Sequence, residues 1–146
     1  HIRDTDYESA RGTLACALDR FLGGQTVEEY AADAREEDKD VVDKLLRARA
    51  VLARKTNATP ETDSDVYWSH ALVRLWSDRA GQCQRWNLLV NFAHALMRAG
   101  QRAQAVQTLE KALELRRSTA GSVKDRYDDQ LRRWKNGESD SEAYDL

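Results

Sequence analysis

Residues 86–117 read WNLLVNFAHALMRAGQRAQAVQTLEKALELRR, and a single glycine, Gly100, divides this proline-free stretch into two runs. Leu89, Phe92, Ala93 and Leu96 before the glycine, and Ala105, Leu109 and Ala112 after it, recur at intervals of three and four. That spacing puts each set on one face of a helix. Two antiparallel helices joined by a tight turn approach closely only where small side chains cross, and Ala93, Ala105 and Ala112 supply them while larger residues fill the gaps. The stretch is expected to be a helical hairpin.

The same periodicity continues on both sides. Towards the N-terminus, Asp65 opens a helix with Trp68, Ala71, Leu72, Leu75 and Trp76 crowding one side, ending by Gly81. Before it, Lys55 to Ser64 reads as a loop by composition and contains Pro60. Asn57, Ala58 and Thr59 in that loop have the form of a glycosylation sequon, which Pro60 and the intracellular character of the chain argue against using. Tyr7, Ala10, Leu14, Ala17, Leu18 and Phe21 share a face of a first helix that Gly23 and Gly24 stop. Thr26 followed by Glu29 has the capping-box form and starts another helix. Arg35 to Asp40 is almost pure charge. It reads either as the solvated waist of one long helix joining Tyr30, Ala34, Val41, Leu45, Ala48 and Leu52, or as a break near residues 38–40 with Asp40 capping a helix through Arg54. Towards the C-terminus, Val123, Tyr127, Leu131 and Trp134 mark a closing amphipathic helix at about 120–136, and residues 137–146 are expected to be an acidic flexible tail.

Composition agrees with an all-α chain. With 146 residues there is enough length for one domain with a real core, expected over residues 1–136. One proline and seven glycines leave too few turn residues for a β-sandwich. Mean hydropathy is −0.76, and no run reaches the ~18 apolar residues that a membrane span needs. Cys16 and Cys83 cannot build a disulfide framework, and there is no basic-then-apolar leader. These features favour an intracellular chain, cytoplasmic or nuclear, and the start at His1 reads as a piece cut from a larger protein.

The ordered small and large residues around Gly100 resemble a tetratricopeptide repeat, a 34-residue helix–turn–helix unit. In the resemblance Leu89 stands at the tryptophan position, Phe92 at the leucine, Ala93 at the small residue, Leu96 at the tyrosine, Ala105 at the alanine, Leu109 at the phenylalanine and Ala112 at the last small residue. Arg117 stands where the family's terminal proline would be. One repeat length upstream of Ala105 and Leu109 lie Ala71 and Leu75, so a preceding unit is expected there, with the helix ending at Arg54 as its partner and a weaker unit around Leu14 to Arg35. The resemblance implies antiparallel hairpins stacked as a short right-handed solenoid with a C-terminal capping helix. It also implies a protein-interaction module, an adaptor or scaffold, holding a peptide or partner helix in a groove. Asn87, Val90, Asn91, His94, Met97 and Arg98, the stripe beside the core positions, would face that groove. Some repeats of this family clamp a C-terminal carboxylate, and Asn91 sits at a position those clamps use. The closing helix has no Lys or Arg pair four apart, since Lys124 meets Asp128 and Arg126 meets Gln130, so the clamp is not supported.

Net charge is −2, but residues 1–66 carry 10 Lys and Arg against 15 Asp and Glu, whereas residues 97–136 carry 10 against 5. A self-associating structural domain, acidic half against basic half, is therefore the alternative function. A third reading has Arg116, Arg117, Lys124, Arg126, Arg132, Arg133 and Lys135 form a basic end for an acidic partner or RNA, and the interleaved Asp125, Asp128 and Asp129 argue against a phosphate-tracking stripe. No enzyme, cofactor or metal is expected. His70 and His94 fall on different helices without a Glu-x-x-His or His-x-x-x-His spacing, Cys83 lacks a partner in sequence, and no glycine-rich phosphate loop is present. Trp68, Trp76 and Trp134 fall on apolar stripes and read as core, and Trp86 is the tryptophan expected to be part exposed.

Overall fold

The computed structural model describes residues 4–56, 64–78, 81–120 and 126–138. Among these every regular element is helical: α1 (Asp4–Leu22), α2 (Val27–Asp33), α3 (Glu36–Thr56), α4 (Asp65–Leu75), α5 (Trp86–Arg98), α6 (Arg102–Ala120) and α7 (Arg126–Lys135). The chain divides into two compact units, His1–Gly81 and Gln82–Leu146. The sequon, Pro60, Val123 and the tail from residue 139 lie outside the described residues.

In the N-terminal unit the capping box forms as its residues dictate. The Glu29 backbone N–H donates to Thr26 Oγ1 at 3.1 Å and the Thr26 N–H donates to Glu29 Oε1 at 3.0 Å. The Thr26 backbone N–H, and after it the Thr26 side chain, hold the Glu29 carboxyl below its usual value. The charged run is broken rather than continuous, at Ala34, whose extended backbone (φ −76°, ψ 145°) ends α2. The break falls ahead of Asp40, which sits inside α3 and caps nothing. Glu36, Glu37 and Asp38 open α3 instead, and their charge complements the positive end of the helix dipole.

The buried stripe of α3 is Val42, Leu46, Ala50 and Ala53; of the positions expected there, Leu52 is buried, but Leu45 and Ala48 are half-buried and Val41 is exposed. Adjacent apolar pairs at 41/42 and 45/46 let both stripes satisfy helical spacing, and packing chooses between them. α3 packs on α1 and α4, and α2 packs on α4. The Arg49 guanidinium, buried, lies 4.5 Å from the Trp68 ring centre and donates to the Arg11 carbonyl at 3.1 Å, joining three helices. Asp43 on α3 accepts from Trp76 Nε1 at 2.7 Å and from Arg47 Nε at 2.7 Å. Asp43 meets Trp76 and Arg49 meets Trp68, so α3 and α4 run antiparallel. α4 ends at Leu75, six residues before Gly81.

His70, half-buried on α4, has its pKa lowered by burial first and by the Arg74 guanidinium second, against the pull of Glu28. The fold therefore favours the neutral imidazole. Its contribution to stability is complete above the ordinary value of 6.5 and is lost as pH falls below it. Mild acid is expected to lower the urea midpoint of the wild type, and His70→Gln is expected to flatten that part of the profile; an unchanged slope in the variant would remove His70 as the cause.

In the C-terminal unit α5 and α6 form the expected hairpin, and α7 packs on α6. At the turn, Gly100 takes φ 81°, a left-handed value that only glycine adopts without steric cost. Gln101 N–H donates to Leu96 O at 2.9 Å and Gly100 N–H to Met97 O at 3.0 Å, the Schellman pattern that satisfies the last carbonyls of α5. α7 ends the same way, with Glu138 N–H to Arg133 O at 3.1 Å and Gly137 N–H to Trp134 O at 3.2 Å.

Candidate functional site

Ala93, Ala105 and Ala112 have no exposed surface, and neither does Leu109. The hairpin thus buries its small side chains together with Leu96 and Leu109. The stripe expected to face a groove lies elsewhere. Val90, Asn91, His94 and Met97 are buried, Asn87 is half-buried, and only Arg98 is exposed. Leu89 and Phe92, expected in the core, are half-buried, as is Trp86. Eight of the thirteen residues of α5 are buried, so the helix is covered on more than one face and its apolar pattern selects no single side.

α7 reaches part of that stripe. The Trp134 ring, with no exposed surface, meets the His94 ring edge-on with centroids 5.2 Å apart. Tyr127 is buried and meets Trp86 at 5.8 Å, and the Arg116 guanidinium lies 5.1 Å from the Trp86 ring centre and 5.7 Å from that of Tyr127. Asn91, four residues from Ala95 and three from His94, is 4% exposed and its Nδ2 donates no hydrogen bond, a buried donor left unsatisfied.

A residue that no spacing pointed to fixes the far end of α7. Arg102, at the start of α6, donates from NH1 to Trp134 O at 2.9 Å and also to Glu138 O, and from NH2 to Gly137 O at 2.9 Å. A guanidinium fork on the carbonyls that end a helix answers both their unmet hydrogen bonds and the negative end of the helix dipole. Arg102→Ala is expected to cost about 1–2 kcal/mol and to speed amide exchange in α7 ahead of α5, whereas Arg102→Lys keeps the charge and loses the fork. Exchange accelerated equally in α5 and α7 would contradict this local role.

The basic end is largely answered by the chain itself. Arg117 pairs with Asp128 at 3.1 Å, Arg132 pairs with Asp129, Arg133 approaches the same carboxylate at 3.4 Å, and Lys135 reaches Glu110 at 3.5 Å. Arg116 lies over aromatic rings rather than in solvent. Lys124 and the Arg126 side chain fall outside the described residues. Four cations thus meet carboxylates of the same unit instead of standing as an open row.

Trp134 is core as expected, but Trp68 and Trp76 are half-buried like Trp86. Each of these three rings carries a cation of the chain: Arg49 on Trp68, Lys39 at 5.7 Å on Trp76 and Arg116 on Trp86. Cys16 is exposed and Cys83 is buried, with its sulfur 3.8 Å from the Arg85 carbonyl. Among the described residues no three His, Cys, Asp or Glu side chains converge to hold a metal ion, and no helix is long and apolar enough to cross a membrane. Comparison with family models, with curated proteins and with solved structures finds no match to the chain.

Proposed function

We propose that the chain is a protein-interaction module, an adaptor or scaffold part of a larger polypeptide, whose Trp86–Arg117 hairpin is a tetratricopeptide-like unit that holds a peptide or partner helix. The observation that carries this reading is the complete burial of Ala93, Ala105 and Ala112, the small residues that such a hairpin needs where its helices cross. Of the stripe assigned to the partner, Arg98 is exposed and Asn87 is half-buried, so first contact falls on those two, which would fix the partner's register.

Affinity capture from native extract, with and without nuclease, tests the proposal by comparing wild type with the Asn87→Ala/Arg98→Glu double variant. A protein partner that survives nuclease and is lost by the variant is the expected result. Capture abolished by nuclease would transfer the function to RNA and the basic end, and an eluate holding only copies of the chain itself would favour the self-associating reading.

A further inference from the structure

The end of the N-terminal unit where α1 stops and α3 starts concentrates acidic side chains. Residues 27–40 hold seven Asp and Glu against two Arg and Lys, and all seven acids are exposed. Glu28 pairs with Arg74 at 2.8 Å and Glu29 is held by its capping box, but Asp33, Glu36, Glu37 and Asp40 pair with no cation among the described residues. The field of this end is felt by a neighbour, since burial and then Asp38 raise the pKa of Tyr30. In the C-terminal unit, by comparison, Glu110, Asp128 and Asp129 each meet a Lys or Arg.

Two large apolar side chains are exposed at the same end, Phe21 at 42% and Val41 at 40%. Their common level follows from the path of the chain. Arg49 bonds the Arg11 carbonyl, and the short return from Leu22 to Glu36 through α2 requires α1 and α3 to be antiparallel. At ~1.5 Å per residue, Phe21 lies about 15 Å beyond Arg11 and Val41 about 12 Å from Arg49 in the same direction, so their levels along the helix axes differ by less than one turn.

We infer that this face docks a partner segment rich in Lys and Arg and carrying a large apolar anchor. Phe21 and Val41 offer the apolar contact, which slows dissociation, and the unpaired carboxylates offer the countercharge, which steers approach and selects the sign of the partner. Nucleic acid and anionic lipid are repelled by the same charge. A second copy of the chain is a poorer occupant, because Arg117, Arg132, Arg133 and Lys135 already meet carboxylates of their own unit. The inference rests on the reading of the chain as an interaction module, but it uses a surface separate from α5 and can fail alone.

The test is fluorescence anisotropy of the full chain with two labelled amphipathic peptides of equal length, one of Lys and Leu and the other of Glu and Leu. The Lys peptide is expected to bind and the Glu peptide not, with affinity falling as salt rises from about 50 to 300 mM. Glu37→Gln/Asp40→Asn and, separately, Phe21→Ser/Val41→Ser are each expected to weaken binding about tenfold, with circular dichroism confirming that helix content is kept. Arg98→Glu, on the other surface, is expected to leave this binding unchanged while abolishing capture through α5. Lys-peptide binding indifferent to Phe21→Ser/Val41→Ser would reduce the patch to unspecific charge attraction and overturn the inference. A concentration-dependent mass abolished by Glu37→Gln/Asp40→Asn would overturn it in favour of a second copy.

Discussion

Replacing Trp134 with alanine is expected to cost the C-terminal unit about 3–5 kcal/mol, the range for removing a large buried aromatic side chain. The indole has no exposed surface and meets the His94 ring at 5.2 Å, so its loss leaves a cavity in a close-packed interior. α7 is only ten residues long, shorter than the ~12–15 residues at which an isolated helix becomes even marginal, and so it depends on this contact. Tyr127 and Gln130 are the other residues of α7 described as buried, and Arg102 holds its end, so the helix should loosen before α5 and α6 do. In a unit of this size each kcal/mol corresponds to about 4–8 °C in Tm. Urea and thermal unfolding followed by circular dichroism read the effect directly, with Trp134→Phe as the milder comparison. A loss below about 1 kcal/mol for the alanine variant would mean that Trp134 is not a core residue of this unit.

The second large effect is expected at Asp43 in the other unit. This carboxylate is 9% exposed and accepts from Trp76 Nε1 and Arg47 Nε, both at 2.7 Å. Asp43→Ala strands the indole N–H and leaves Arg47 without its partner, at a cost of about 2–3 kcal/mol. The Arg47 side chain is 26% exposed, so water recovers part of its share. Asp43→Asn keeps an acceptor for the indole and should cost about 1 kcal/mol. A double-mutant cycle with Trp76→Phe isolates the bond that ties α3 to α4, and a coupling energy of about 1 kcal/mol is expected. Strict additivity of the two substitutions would show that the contact contributes nothing.

How far the sequence could be read depended on whether the signal was local. Thr26 with Glu29, Gly23 with Gly24, Gly100 and Gly137 each end or begin a helix through contacts within a few residues, and those boundaries were readable. The break at Ala34 was not, because no proline or glycine marks it and the charged run around it has no apolar period to interrupt. On α3 the paired apolar positions at 41/42 and 45/46 left the buried stripe ambiguous by one residue. That ambiguity hid the exposure of Val41. On α5 most positions are apolar or small, so pattern alone could not tell which residues tertiary packing would cover, and the resemblance put Asn91 and His94 in a groove because their stripe lies beside its core positions. Trp134, forty residues from His94, covers one of them. Arg102 likewise acts across 32 to 36 residues, a distance at which spacing carries no information.

The central claim is that this all-helical chain works by holding a partner on preformed surfaces. Hydrogen exchange by mass spectrometry on the full chain, with and without the partner recovered by capture, tests it most directly. Protection confined to one of two places is predicted: the segment around Arg98 for a partner on the hairpin, or residues 27–41 for a cationic segment on the acidic end. Protection at neither, with the bound and free chains exchanging alike, would contradict the claim.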